Sequence, residues 1–345
     1  MRILLGISGG LDSAYAAKKL LSEGHEVEGA ILVLHPYAEL DSAREVARQI
    51  GIVLHEIDGR ERFGKIVQRN FAEEYLLGRT PNPCVICNRS VKFPLLYEYA
   101  LAHGFDRIAT GHYAAVEKCG DRYAILPGKD ATRDQSYVLW PLSQEILSHL
   151  IFPLSDMEKE TVRKKASDAR LTVADKAESR EICFIPDQDY ARFISEYTGI
   201  EAREGNFVDE EGKVLGRHKG ILNYTVGQRK GLGIALGKRM FVTAISAEDN
   251  TVTLSDDPNV TVSDFYIENA VFSGISEPKR GEVLCADARV RYLAPLRPAS
   301  VTYLGEGRAR VHLSTAARAV TPGQSAVFYG EGRILFGAII ASVEK

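Results

Sequence analysis

Gly6-Ile7-Ser8-Gly9-Gly10-Leu11-Asp12-Ser13 is the stretch on which the fold of this chain turns. It joins a short apolar run, Arg2 to Ser8, that reads as a buried strand, to Asp12 through Glu23, whose apolar residues recur at helical spacing and stop at Gly24. Paired glycines at a strand-to-helix turn let the backbone approach a ligand closely, and the helix N-terminus offers N–H donors. With the hydroxyls of Ser8 and Ser13 added, the turn suits a phosphate group. The sequence has neither the Gly-Lys-Ser/Thr ending of a Walker A loop nor a Gly-x-Gly-x-x-Gly. A tight turn capped by Asp12 or Ser13 would account for any one of these residues alone.

Outward from the turn, the alternation continues. Val27 to Leu34 and Ile52 to Ile57 read as strands, Asp41 to Ile50 as a helix stopped by Gly51, 61–77 and 89–103 as helical, and 106–110 as a strand. Strand, crossover helix and strand in series predict an α/β fold with a parallel sheet covered on both faces. From about Tyr190 the pattern changes to alternating apolar and polar positions rich in Gly and Val, as in Met240–Ile245, Thr251–Leu254, Ala309–Leu313 and Ile334–Ile340. We expect three domains: 1–200, a small β-rich unit at 201–258, and a second at 259–345, with a junction in the turn cluster Asp256–Asn259.

At 345 residues, 45% hydrophobic and 26% charged, the composition is that of an ordinary globular protein. No apolar run nears the ~20 residues that cross a bilayer, and Met1–Ser8 lacks a signal-peptide cleavage site. A cytoplasmic protein with no membrane partner is expected, as a monomer. The net charge of −3 gives no global basic field, so nucleic-acid binding would need a local patch. One exists: between Leu215 and Met240 stand Arg217, Lys219, Arg229, Lys230, Lys238 and Arg239 with no Asp or Glu, punctuated by glycines. His218, within it, reads as a surface histidine.

Five cysteines, an odd number, argue against a disulfide framework. Cys84 and Cys87 stand at CxxC spacing in Arg79-Thr80-Pro81-Asn82-Pro83-Cys84-Val85-Ile86-Cys87-Asn88, where both prolines are expected to hold the loop away from helix. Cys183 lies in Glu181-Ile182-Cys183-Phe184-Ile185, whereas Cys119, in an expected hairpin turn, and Cys285, in an expected strand, have no partner motif. A lone CxxC admits redox, iron–sulfur or zinc use; zinc would need His103 or His112 to complete the site.

The glycine string resembles the SGGxDS signature of the PP-loop ATP pyrophosphatases. That resemblance implies cleavage of ATP between its α and β phosphates and transfer of AMP to a carbonyl-type oxygen. The string is followed in order by TPNPCVICN with Lys92-Phe93, by Ala109-Thr110-Gly111-His112-Tyr113, by Asp134-Gln135-Ser136-Tyr137, by Glu181–Ile185, and by Tyr224–Gly233. Together these closely resemble the bacterial tRNA-specific 2-thiouridylase family, from residue 6 to about 234, with weaker echoes at Arg291-Tyr292 and Pro322-Gly323-Gln324.

The resemblance implies a PP-loop domain, a small central domain and a C-terminal β-barrel closing on a tRNA anticodon stem-loop. The substrate would be the wobble uridine, position 34, of tRNAs for Lys, Glu and Gln, and the product 2-thiouridine. It assigns nucleotide contacts to Gly6, Ile7, Ser8, Gly9, Gly10, Leu11, Asp12, Ser13, Leu32 and Gly111. It makes Cys87 the nucleophile and Cys183 the persulfide carrier, a transient Cys87–Cys183 disulfide closing the turnover. Contacts to tRNA fall on Asn82, Pro83, Cys84, His112, Arg133, Asp134, Gln135, Arg291, Tyr292 and Gln324, beside the basic Arg229 and Lys230. ATP with Mg²⁺ is the expected nucleotide, Asp12 a candidate Mg²⁺ ligand, and the sulfur donor a persulfide carrier or sulfide.

The chain departs from the family pattern in three places. Cys84 stands where many members have an Asp proposed as acid/base, and a thiol near pKa 8.5 substitutes poorly unless its surroundings lower that value. The segment His35–Leu40 is shorter than usual, and Arg133 replaces a Lys. Cys84 opens a competing mechanism in which Cys84, Cys87 and Cys183 hold a [4Fe–4S] cluster whose open iron delivers sulfide. Two further readings are a PP-loop synthetase acting on a small molecule, and an RNA-binding module with a degenerate nucleotide site.

Overall fold

The computed structural model describes residues 1–175, 182–257 and 261–344. Glu181 of the Cys183 motif, and Pro258 and Asn259 of the expected junction, lie outside the described residues. The chain begins with β1 (Arg2–Gly6), α1 (Leu11–Ser22), β2 (Glu26–Val33), α2 (Leu40–Ile50) and β3 (Leu54–Asp58), and returns to the sheet at β4 (Arg107–Thr110). The strands are parallel in the order β3-β2-β1-β4, with Leu150–Ile151 on the far edge. Ile3, Leu4 and Leu5 are fully buried because helices cover both faces of β1. The chain leaves β1 toward β2 on one side and later adds β4 on the other, which opens a crevice beyond the strand ends. Gly6 pairs with Thr110 there, so the segments after each, far apart in sequence, meet.

Both expected helical stretches contain a π-helical turn. The first runs Arg60–Phe63, Gly64–Gln68 (π) and Arg69–Leu76; the second runs Pro83–Cys87, Asn88–Lys92 (π) and Phe93–Ala102. The expectation that Pro81 and Pro83 keep the CxxC out of helix is therefore corrected. Pro83 occupies the first helical position, where its missing N–H costs nothing, and Asn82 caps the turn by accepting from the Val85 N–H at 3.4 Å.

Beyond α-helix Tyr190–Thr198, strands Gly205–Val208, Val214–His218, Phe241–Ser246 and Thr251–Ser255 make a four-stranded sheet, and six strands from Thr261–Val271 to Arg333–Val343 close into a barrel. The barrel shares a core with the parallel-sheet domain. Trp140 donates its indole N–H to Ser325 Oγ at 3.0 Å, and a Cβ at Gly337 would sit 2.5 Å from the Trp140 ring, so only glycine admits the indole. His218 corrects the surface reading: it is 2% exposed, accepts from the Gly220 N–H, and donates to the Asn250 carbonyl inside the central domain. Burial holds its pKa down. Among the described residues no helix is long and apolar enough to cross a membrane.

Candidate active site

The glycine turn is built from its own residues. Gly9 has φ +73°, and a Cβ there would lie 2.7 Å from the Ser42 side chain, so both conformation and space demand glycine. Gly10 caps α1 with extended backbone. The Ser8 N–H donates to Ser13 Oγ at 3.2 Å, and Ser13 Oγ donates to the Gly10 carbonyl at 3.1 Å. Gly111, at the end of β4, packs onto this turn; a Cβ would come within 2.9 Å of the Asp12–Ser13 backbone. The Asp12 carboxylate accepts from Tyr113 Oη at 2.7 Å and from Lys159 Nζ at 2.7 Å on each oxygen. Leu32 is half-buried near the C-terminal end of β2.

The thiols come from two segments. Helical i, i+3 spacing places Cys84 and Cys87 on one side of the Pro83–Cys87 turn, Cys84 exposed and Cys87 buried. Cys183 is exposed, while its neighbour Phe184 is clamped edge-on by Phe63, Phe71 and Phe193. That anchor fixes where Cys183 emerges. The Lys92 ammonium, in the π turn after Cys87, acts electrostatically on Cys84, Cys87, Cys183 and His112 alike, so all four lie within electrostatic reach of one basic side chain. Tyr292 of the barrel reaches the same place, within the field of Cys84 and Arg133.

Burial dominates the protonation of this pocket. Cys84 and Cys183 keep exposed surface, yet the protein packed around each sulfur still disfavours the charged form. It pushes the thiols of Cys84 and Cys87 up and that of Cys183 up to about 12, with Lys92 opposing but not winning. The Cys84 environment thus raises rather than lowers its pKa, so Cys84 stands as a neutral thiol. His112, hydrogen-bonded to Thr110 Oγ1 at 2.8 Å, is held neutral, its pKa driven down to about 3 by burial and then by Lys92. All five cysteines are free thiols. Among the described residues no three His, Cys, Asp or Glu side chains are grouped to hold a metal ion. Cys84, Cys87 and Cys183 therefore do not supply the ligand set of a [4Fe–4S] cluster, and that reading is not supported; nor does His103 or His112 complete a zinc site.

Several expected RNA contacts are engaged within the protein. Asp134 is 3% exposed, pairs with Arg289 of the barrel at 3.0 Å, and accepts from the Ser136 N–H. Gln135 Oε1 accepts from the Tyr113 N–H at 2.9 Å. Gln324 donates from Nε2 to the carbonyls of Thr80 at 2.9 Å and Pro81 at 3.3 Å, while the Thr80 N–H donates to the Pro322 carbonyl. A barrel turn thus clamps the loop leading into the cysteine helix. Arg133 is half-buried, and Arg291 and Tyr292 are exposed. Arg229, Lys238 and Arg239 line an open groove of about 600 Å³ in the central domain, with Lys230 exposed beside it.

Comparison with known proteins bears on this arrangement directly. The profile described as tRNA methyl transferase HUP domain matches residues 1–187, that of the tRNA methyl transferase PRC-barrel domain matches 191–256, and that of the aminomethyltransferase beta-barrel domain matches 262–340. A tRNA-specific 2-thiouridylase MnmA of Acetivibrio thermocellus is 43% identical, over 98% of this chain and 99% of that protein. Its counterpart in Carboxydothermus hydrogenoformans is 42% identical, over 98% and 97%. The chain belongs to the tRNA-specific 2-thiouridylase family. Among solved structures, a 4-thiouridine synthetase–RNA complex with bound ATP overlaps 54% of this chain and 45% of its own, at 19% identity and TM-score 0.39.

Seen as a 2-thiouridylase, the chain has site residues that motif reading left without a role. Lys92 was legible only as the tail of the CxxC motif. Lys159 lies in Met157-Glu158-Lys159-Glu160, a charged string that reads as a solvated helix start, yet its side chain is 8% exposed. Tyr113 and Arg289 act through contacts between segments over 100 residues apart, for which sequence carries no local signal.

Proposed function

We propose that this enzyme performs ATP-dependent 2-thiolation of the wobble uridine of tRNAs for Lys, Glu and Gln, acting in the cytoplasm on the anticodon stem-loop. One observation carries the reading. The end of β4 touches both halves of the chemistry: Gly111 packs on the glycine turn, and His112, the next residue, shares the field of Lys92 with all three thiols. A base held at His112 would thus lie between a phosphate site and a sulfur site. We take the working units as 1–200, 201–258 and 259–345.

In this scheme uridine O2 attacks the α-phosphorus of ATP, the bond to the bridging β-oxygen breaks, and pyrophosphate leaves. The N3 proton is released, and the base carries AMP on O2. A persulfide-carrying donor has loaded Cys183, whose terminal sulfur attacks C2 while AMP departs with the former O2. The Cys87 thiolate then attacks Cys183 Sγ; the S–S bond breaks, its electrons stay on the outer sulfur as the thiocarbonyl, and N3 regains a proton. A Cys87–Cys183 disulfide remains for an external dithiol to reduce. A persulfide is more acidic than its parent thiol, so loading activates Cys183 where burial suppresses the free thiol. The backbone N–H groups at Gly9–Gly10 would hold the phosphates. Asp12 would be the Mg²⁺ ligand, the cation supplying neutralisation of phosphate charge; one carboxylate suffices, because Mg²⁺ takes its other oxygens from phosphate and water.

Arg229 and Lys230 would track the RNA backbone along the central-domain groove. Neutralising both should flatten the slope of log affinity against log salt by about 0.7–0.9 for each phosphate that no longer meets a cationic side chain. The deciding experiment supplies unmodified tRNA, MgATP and a persulfide donor, and measures pyrophosphate and 2-thiouridine. Pyrophosphate release that requires tRNA and matches thionucleoside formation is expected. Release driven by a small-molecule acceptor, with none on tRNA, would overturn the reading in favour of a small-molecule synthetase.

A further inference from the structure

Lys159 is the first residue of helix Lys159–Asp168, 147 residues from the carboxylate it meets. An ammonium held away from water is costly without a partner. Here the partner is Asp12, engaged through both oxygens at 2.7 Å, at the mouth of the glycine turn. The reach is set from behind: the Lys159 N–H donates to Asp130 Oδ2 at 3.0 Å, and Asp130 is itself held by the Thr132 N–H and hydroxyl at 3.0 and 2.6 Å. Val162 and Ala166 of the same helix pack in one core with Ala14 and Ala17 of α1. The ammonium is therefore delivered to the turn by a rigid support, and its ring neighbour Tyr113, 5.8 Å away, donates to the same Asp12.

The pair makes the turn electrically neutral, whereas a triphosphate needs positive charge opposite it. Asp12 also cannot serve a cation while both of its oxygens face an ammonium. These two demands are met by one exchange. Resting on the nucleotide reading above, we propose that Lys159 is a substrate-binding residue for the pyrophosphate end of ATP. The ion pair with Asp12 is its resting state. When MgATP enters, the carboxylate turns to the cation and the ammonium turns to phosphate oxygens, remaining with pyrophosphate until that product leaves. A compact ammonium with rotatable donors suits this change of partner better than a planar guanidinium would.

A double-mutant cycle tests the assignment, with binding of ATP, AMP and inorganic pyrophosphate measured calorimetrically in the presence of Mg²⁺. Lys159→Gln should weaken ATP and pyrophosphate by about ten- to a hundredfold, the range conferred by a hydrogen bond to a charged group. AMP affinity should change less than about twofold, and Lys159→Arg should retain part of the ATP affinity. The Asp12→Asn background decides the role. If Lys159 touches phosphate, Lys159→Gln still weakens pyrophosphate there; if it only neutralises Asp12, the effect disappears and the proposal falls. The double variant leaves no buried charge unpaired, so it also guards against misfolding of the single one. Equal weakening of AMP and ATP would likewise overturn the proposal. A wild-type chain that binds no ATP would overturn the nucleotide reading and this proposal with it.

Discussion

The glycine turn and the cysteine pocket sit at the same strand end, yet they are made in opposite ways. The turn is local: within Ser8–Ser13 its hydroxyls and amides bond to one another, and its shape is complete before a ligand arrives. The cysteine pocket is assembled from the capped turn Pro83–Cys87, the Phe184-anchored segment and a barrel loop, and it holds its thiols protonated. The backbone cradle is preformed in one region, where only the Asp12–Lys159 side-chain pair has to change partner, and reactivity is withheld in the other until substrate and persulfide come together. A thiol left reactive in an exposed pocket would be oxidised between turnovers.

Mutation should split the two regions most sharply. Cys87→Ser and Cys183→Ser should each depress 2-thiouridine formation by about 10³-fold or more, as loss of a nucleophile does, while tRNA-dependent pyrophosphate release continues. Asp12→Ala and Ser8→Ala should remove pyrophosphate release and thiolation together. Pyrophosphate and thionucleoside yields measured in the same reaction decide it: if a cysteine variant loses both equally, the regions are not separable and adenylation needs the thiols.

The second contrast is in pH. Only the thiolate is alkylated, so a folded-state pKa above the ordinary value displaces the rate curve to higher pH. With Cys183 near 12, its alkylation at pH 7 should be about a thousandfold slower than that of an unperturbed thiol. It should rise close to tenfold per pH unit from pH 7 to about pH 11 and level off above about 12. Lys92→Gln should slow it further at every pH below the midpoint, since the charge favouring the thiolate is gone. Site-resolved iodoacetamide labelling gives the curve, and a midpoint near 8.5 would show that the pocket does not suppress its thiols.

The clamp between barrel and cysteine loop gives a smaller effect. Gln324→Ala removes two hydrogen bonds to the Thr80 and Pro81 carbonyls without touching the glycine turn. We expect kcat for thiolation to fall about tenfold, the cost of a slightly misplaced catalytic group, with ATP affinity unchanged. A fall in tRNA affinity at unchanged kcat would instead assign Gln324 to RNA contact.

The same contrast explains what could be read in advance. The strand, turn and helix around Gly9 follow from periodicity and one positive-φ glycine, so residues 2–58 were legible nearly to their ends. The helix at Pro83 was not: two prolines and an Asn read as an extended loop until the side chain of Asn82 is seen to cap Val85. The burial of Lys159, Asp134 and His218 was hidden for one shared reason. Each is a polar residue whose partner lies in a distant segment, and sequence pattern reports only near neighbours.

Cys84 offers the finest test, because desolvation and the Lys92 charge press on its thiol in opposite senses. Its thiol is reached by solvent but held neutral, so at pH 7 it contributes neither charge nor base to the pocket. Replacing it with serine should therefore cost thiolation less than about tenfold, against near-total loss at Cys87 one helical turn away. Cys84→Asp restores the carboxylate that many relatives are expected to carry, and activity should survive. It also sets a negative group among thiols whose ionised form the Lys92 charge favours. Alkylation of Cys87 and Cys183 should then slow at fixed pH, through repulsion of each thiolate. Thionucleoside yield and labelling rate, measured on the same preparation, separate these two consequences. If Cys84→Ser abolishes thiolation as completely as Cys87→Ser, Cys84 takes part in the chemistry as a thiol. The protonated, resting character assigned to it would then have to be abandoned.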